Sequence, residues 1–304
     1  MIVTGDLGPL FRPGLRNDFR EELGKWEPVY TQFMKMGSTD KPENRATIIG
    51  GLNRLYDIGD GAPITYDRIK VGPVVQVVDR EFGVGYALSR RAVEDDQYGK
   101  ANQAAKFLGN AVNMTFEYRA AALLDDSFTG TTFKGIDTLR LCHTAHTCVG
   151  NDVTTFSNEV TTPIQLSVTG FENLLDLVTN TKDHNGDPMR YMPTDLIIGN
   201  ASGQLHKAMQ ILGSDKEPFT ANNQDNAIKK RLGGMNIIVN PYITSTTKYW
   251  MFNKKLNDVQ FLMRRKPTFD SQDDFNTKAL LNTVTTRFAI WFVDPRGWVG
   301  ANAT

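Results

Sequence analysis

Apolar residues along this chain change their spacing several times, and each change marks a new element. Between Pro63 and Leu88 the period is two: Val75 and Val77, then Phe82, Val84, Tyr86 and Leu88, with Glu81, Gly83, Gly85 and Ala87 between them. Such alternation predicts two strands, each with one apolar face, and hence an extended β-ribbon. Ser89 stands where it can cap a short acidic turn through Glu94, Asp95 and Asp96. From Gln97 to Phe128 there is no proline and much Ala, Leu, Lys and Glu, which predicts a helix roughly 45 Å long at ~1.5 Å per residue. A rod of that length is too long for a small enzyme core to hide.

On the N-terminal side, Phe19, Leu23, Trp26, Tyr30, Phe33 and Met34 recur at spacings of three and four within Leu15 to Met36. The pattern suits a helix broken at Pro28. It reads either as an arm whose aromatics dock on another surface or as a helix packed on its own domain. Pro42 to Tyr56 is expected as a second helix, with Asp40 as cap and Pro42 in the first turn, weakened by Gly50-Gly51.

After the long helix, Gly130 to Gly135 forms a turn, Leu139 to Val149 is a strand candidate and Asn151 to Pro163 a polar loop. Leu166 to Thr179 is helical in pattern, and His184 to Pro188 is a surface turn by its Asn-Gly and Asp-Pro content. Leu196-Ile197-Ile198, Ile237-Ile238-Val239 and Tyr249 to Phe252 are short apolar strands, the first followed by a helix through Leu205, Met209 and Leu212. This middle region reads as a compact α/β lobe. Near the end, Val259, Phe261 and Met263 alternate, Arg264-Arg265-Lys266-Pro267 interrupts, and Val284 to Val293 alternates again. These predict two long antiparallel strands around a polar loop, Asp270 to Asn276, before a turn at Asp294-Pro295-Arg296-Gly297.

Composition adds limits rather than chemistry. The 304 residues carry 34 Lys and Arg against 34 Asp and Glu, a net charge of zero, without the basic excess of a dedicated nucleic-acid binder. No apolar run approaches the ~20 residues of a membrane span, so no membrane partner is expected. Met1 to Arg16 lacks the apolar stretch of a secretory signal. Two cysteines give no disulfide framework and fit a reducing cytoplasm. A net charge near zero favours self-association.

The one tempting chemical constellation is Cys142-His143-Thr144-Ala145-His146-Thr147-Cys148, which holds both cysteines and two of the four histidines. These are zinc-ligand types, and a metal-dependent enzyme using Cys142, His143 and His146 is one reading. Ligands of a structural zinc site usually come from two separated knuckles, whereas these fall within seven residues. In an extended strand Cys142, His146 and Cys148 share one face and His143 takes the other. The alternative is a buried strand under the long helix. Ser202 precedes His206 by four residues, which suits a helix start, and Gly-x-Ser-x-Gly and both phosphate-loop patterns are absent. No catalytic residue and no cofactor is expected. Basic clusters at Arg90-Arg91, Lys229-Lys230-Arg231 and Arg264-Arg265-Lys266 are short and read as solvated faces or salt-bridge partners between subunits.

The ordered set resembles the major capsid proteins of tailed bacteriophages with the HK97 fold. Ile64 to Leu88 is similar to their extended loop (E-loop), and Leu88 to Asp96 to the short acidic helix after it. Gln97 to Phe128 is similar to their spine helix, with Phe128-Thr129-Gly130 and Phe133-Lys134-Gly135-Ile136 like its Gly-rich exit. Asp195 to Asn200 with the following helix resembles the central lobe, and Leu256 to Trp298 the last strands of the peripheral domain. Leu141 to His146 also resembles a Leu-x-His-x-x-His stretch after that helix in some phage head proteins.

The resemblance implies an α+β fold: an N-terminal arm and helix (1–60), an E-loop ribbon (61–88), a peripheral domain with the spine helix (89–140 and 254–298), a central domain (141–253) and a C-terminal tail (299–304). It implies a structural protein that assembles into hexamers and pentamers of an icosahedral shell around phage double-stranded DNA, formed in the host cytoplasm and retained in the virion. Partners would be further copies, a separate scaffolding protein, a portal, and non-specifically the packaged DNA. An encapsulin-type compartment shell is the alternative within the fold. Subunit-interface candidates are the arm aromatics Phe19, Trp26, Tyr30 and Phe33 and the ribbon residues Lys70, Val75, Val77, Phe82, Val84 and Tyr86.

Overall fold

The computed structural model describes residues 7–303 except 65, 90, 93–99, 150, 163, 220–223 and 278. Its N-terminal helix α1 (Leu7–Lys25) lies along the long helix α2 (Lys100–Asp126). The polypeptide after Pro28 is not helical as expected. It forms a single 3-10 turn, Tyr30–Gln32, and then strand β1 (Lys35–Ser38).

Three further strands complete a sheet around β1: β4 (Arg80–Leu88), β10 (Val259–Asp273) and β11 (Leu280–Phe292). The order is β1-β10-β11-β4, with β1 parallel to β10 and the other pairs antiparallel. The interruption read at Arg264 to Pro267 is a pair of register shifts between Met263 and Thr268. One face of this sheet is covered by α1 and α2. Phe116 of α2 meets Phe261 and Phe288 edge-on at 5.5 and 5.1 Å, while those two rings stack on each other at 4.9 Å.

Phe19 and Phe33 are fully enclosed here, and Tyr30 nearly so. Phe19 lies 5.5 Å from Phe269, and Tyr30 stacks on Phe261 at 5.0 Å. The arm aromatics therefore build the chain's own core, which corrects the picture of an arm with exposed rings. Glu117, buried in α2, accepts the Val29 N–H at 2.6 Å and so anchors the start of the 3-10 turn. Glu117→Ala should lower stability by about 2 kcal/mol, the size of a buried hydrogen bond to a charged group. Urea unfolding of the two proteins measures this.

A second sheet holds β7 (Asp195–Gly199), β8 (Asn236–Asn240), β9 (Lys248–Phe252) and β12 (Trp298–Asn302) in the order β12-β9-β7-β8. Its strands read as unbroken apolar runs because both faces are covered. Ile197, Trp250 and Phe252 join the main core, whereas Leu196, Ile198, Tyr249 and Met251 face a second core. That second core is built with α3 (Val168–Asn180) and α4 (Ser202–Gly213). A short helix α5 (Ala227–Leu232) packs beside α4. The expected C-terminal tail is instead an internal member of this architecture: β12 pairs with β9, and Trp298 stacks on Phe252 at 4.6 Å.

Two other expectations give way. Pro42 to Tyr56 is not a helix but contains strand β2 (Glu43–Ile49), whose Ala46-Thr47-Ile48-Ile49 run holds β-branched residues. The ribbon partner also differs. Strand β3 (Val71–Val78) pairs antiparallel with β2, not with β4. Only Asp79 separates β3 from β4, and the tightest common hairpin needs two loop residues. The chain therefore runs straight on from one sheet to the next. The extended hairpin is β2–β3, residues 43–78, and β4 belongs to the peripheral sheet. The short acidic turn to Asp96 falls mostly outside the described residues, although the Ala92 N–H does donate to Ser89 Oγ.

Candidate assembly surfaces

The β2–β3 hairpin has two unlike faces. Ala46, Ile48, Val75 and Val77 turn inward and cover a small separate cluster of Ile136, Trp291 and Val293. Ile49, Val71, Val74 and Val78 turn outward and are each more than half exposed. Between the strands, the described residues of 50–70 have no helix or strand, and Leu55 and Tyr66 are 100% and 92% exposed. A monomer seldom leaves so much apolar surface in water, and its concentration on one projection marks a contact surface.

A buried carboxylate fixes the base of this projection. Asp79 accepts from Arg264 Nη1 at 2.9 Å and pairs with Arg287. Its side chain is fully enclosed while both arginines remain partly exposed. The bulged stretch of β10 presents Arg264 to it, a common use of a bulge.

Beside the hairpin, α2 and the β4–β11 edge enclose a groove of about 510 Å3 lined by Phe82, Val84, Val112, Tyr118, Arg119 and Val284. Phe82 stacks on Phe288 at 4.6 Å, with the Arg119 guanidinium 4.9 Å above its ring. Val84 is half exposed, and Tyr86 is half-buried with its hydroxyl unpartnered. Lys70 is exposed near the hairpin tip. Trp26 lies at the α1–α2 seam, where its indole N–H donates to Asn110 Oδ1 at 3.0 Å. Of the interface candidates, Lys70 and Val84 are thus open to a neighbour. Val75 and Val77 are committed to the inward face of the hairpin.

The cysteine–histidine stretch folds into a bend followed by a hairpin of β5 (His146–Cys148) and β6 (Asn151–Phe156), so only its last part is strand. Cys142 Sγ lies beside Gly300, with Phe128 and Trp250 close by, and burial pushes its thiol pKa far up. Cys148 faces Arg296, whose Nη2 is 3.5 Å from Sγ. His146 is fully enclosed, shares a 2.6 Å hydrogen bond between Nδ1 and Asp137 Oδ2, and stacks on Phe156 at 5.2 Å. His143 Nδ1 accepts the Ala145 N–H at 3.0 Å; burial and then Arg140 lower its pKa. The two thiols look into different surroundings. Among the described residues no three His, Cys, Asp or Glu side chains gather as a metal site.

Sequence reasoning missed the joint that these residues serve. Arg296, almost wholly buried, donates through Nε to Lys182 O at 2.7 Å and through Nη1 to Asp294 Oδ1 at 3.1 Å, and lies 4.6 Å over the Phe156 ring. It ties the β5–β6 hairpin, the 182–188 turn and the return into β12 together. The only signal for it was the turn composition around Pro295. Two of the basic clusters are also partly paired within the chain. Lys229 and Lys230 pair with Asp215 and Asp225, and Arg264 and Arg265 with Asp79 and Glu81.

An α+β body with a long helix packed on one sheet thus carries a hairpin whose outer face is apolar and exposed, as a subunit that packs against others would. Residues 74–301 match a family model described as phage capsid protein. The chain belongs to that family. A search of curated protein sequences found no match. Among solved structures, the capsid of the cyanophage P-SCSP1u is similar at 13% identity, covering 91% of this chain and 88% of that one with a TM-score of 0.58. The procapsid of bacteriophage JBD30 is similar at 14% identity over 99% and 77%, TM-score 0.54. A virus-like particle from Pyrococcus furiosus is similar at 13% over 96% and 99%, TM-score 0.51. The chain is a structural capsid protein of the HK97 fold; it associates with its own copies, and its place is the virion shell.

Proposed function

We propose that copies of this chain form hexameric and pentameric capsomers of an icosahedral shell around double-stranded phage DNA. The observation that carries this reading is the β2–β3 hairpin, whose outward face is apolar and exposed, as are Leu55 and Tyr66 in the loop between its strands. The peripheral sheet with α1 and α2 would form the capsomer rim, and the β12-β9-β7-β8 lobe its centre. Many modest contacts would then sum by avidity. Assembly in the host cytoplasm, with a separate scaffolding protein and a portal, belongs to the same reading, as does the absence of catalysis. Contact with DNA would be non-specific and made by the inner face, with Lys229, Lys230, Arg264 and Arg265 already paired to acids of the chain. The family match favours a genome-enclosing shell over an encapsulin-type compartment.

Electron microscopy of the purified protein, alone and with the scaffolding protein of the same phage, should show capsomers or regular shells. A monodisperse monomer at high concentration under both conditions would overturn the reading. Metal analysis of the same sample addresses the enzyme alternative: a stoichiometric metal lost on His146→Ala would revive it.

A further inference from the structure

The hairpin that should reach a neighbour is, in the single chain, folded down on its own body. Its inward face covers Ile136, Trp291 and Val293. At the far end, Asn185 Nδ2 donates to Leu52 O at 2.7 Å, and Arg54 pairs with Asp187. The strand between is in close contact too, since a Cβ on Gly72 would lie 3.0 Å from Val149 Cγ1. These contacts are shallow. The cluster beneath is separate from both main cores, and the Arg54–Asp187 pair is exposed at 78% and 39%. The hairpin joins the body only through 39–42, which has no helix or strand, and through Asp79.

We propose that this self-contact is an autoinhibitory latch, and that assembly exchanges it for the same contact made by the hairpin of a second copy. The occupant is specified by the structure itself: the patch already fits this hairpin, so an identical one from another copy fits equally well. Such an exchange of identical elements is a low-cost route to association. While latched, a chain neither offers its own hairpin nor opens its patch. The open fraction then scales the apparent affinity between copies. This proposal rests on the self-assembly reading above.

The test is a reversible lock. Gly72→Cys with Val149→Cys sets two cysteines where a Cβ on residue 72 lies 3.0 Å from Val149 Cγ1, and mass spectrometry shows closure of the disulfide. The oxidised variant should remain unassembled where the wild type forms shells, and dithiothreitol should restore assembly. A second variant eases opening instead. Arg54→Ala with Asn185→Ala removes the same contacts from the closed chain and from the exchanged pair. It should therefore speed assembly by about two- to fivefold, the range of weak exposed contacts, and leave the assembly threshold unchanged. Shells formed equally well by the closed disulfide form would overturn the proposal, as would an unchanged or slower assembly rate in the second variant. If the wild type itself does not assemble, the shell reading fails, and the latch with it. Assembly by the wild type together with the closed form sinks the latch alone.

Discussion

Arg296→Ala is expected to destabilise the folded chain by about 3–5 kcal/mol, the cost of removing one partner of a buried charge pair. The guanidinium is nearly inaccessible, with a side-chain exposure of 5%. Its loss strands several groups at once: Asp294, the Lys182 carbonyl and the face of Phe156. Burial by itself would raise the Asp294 pKa. Hydrogen bonding from His184 and the charge of Arg296 outweigh it and hold the group below its ordinary 3.8. A depressed carboxylate stabilises the fold above its unfolded pKa, and that contribution disappears as pH falls through the folded value. The penalty of the substitution should therefore be largest at neutral pH and shrink as pH falls below 3.8, toward the lower pKa that Asp294 has in the folded chain. Urea unfolding across pH 3 to 7 reads both magnitude and trend. A penalty that grows toward acid would contradict the assignment. Arg296→Lys should recover only part of the loss, since an ammonium cannot replace the planar fork that joins several segments.

Asp126→Asn is expected to cost about 2 kcal/mol at neutral pH, by conversion of its pKa shift. Asp126 ends α2, where the helix dipole disfavours a negative charge, yet it is held strongly ionised. Burial would raise its pKa. Against that, the hydroxyls of Thr131 and Thr129 and the N–H groups of Thr132 and Phe133 bring it down from 3.8 to about 2. The donors approach within 2.6 to 2.8 Å, so the carboxylate shapes the whole exit from the long helix. Because the folded pKa lies below the unfolded one, this stabilisation is complete above pH 3.8 and fades as pH falls toward 2. The wild type should therefore lose about 2 kcal/mol over that interval through this group alone. Asp126→Asn should lack that component. An identical acid profile in both proteins would show that the loop does not depend on the charge.

What the sequence disclosed depended on whether a period recorded the environment. Leu196-Ile197-Ile198 was legible because a strand covered on both faces has to be apolar throughout. The 27 residues of α2 were legible because they hold no proline and only one glycine, Gly109, among strong helix formers. The alternation through Phe82, Val84, Tyr86 and Leu88 correctly marked a strand, but period two does not name a strand's partner. Here the partner is β11, placed some two hundred positions later. Pro42 to Tyr56 misled because a cap and an early proline suggested a helix while Ala46 to Ile49 already favoured extended backbone. The arm aromatics had a readable period and an unreadable destination, since spacings of three and four do not distinguish a neighbour's surface from one's own helix. Asp79 left no trace, and Arg296 only the turn composition around Pro295. A buried charge pair has no period, and Asp79 and Arg264 stand 185 residues apart.

The threading of the peripheral sheet has a consequence for synthesis. Its first strand, β1, pairs only with β10, with Lys35 opposite Gln260, and Phe33 O accepts from Asn257 Nδ2 across 224 positions. Nascent chains fold as units once a domain has emerged from the ribosome, so this sheet cannot close until β10 and β11 have been made. A product released early lacks β11 and β12 and with them the floor beneath α2. It presents no finished rim to a growing lattice. The order of the strands thus makes the first strand wait for a partner made more than two hundred residues later.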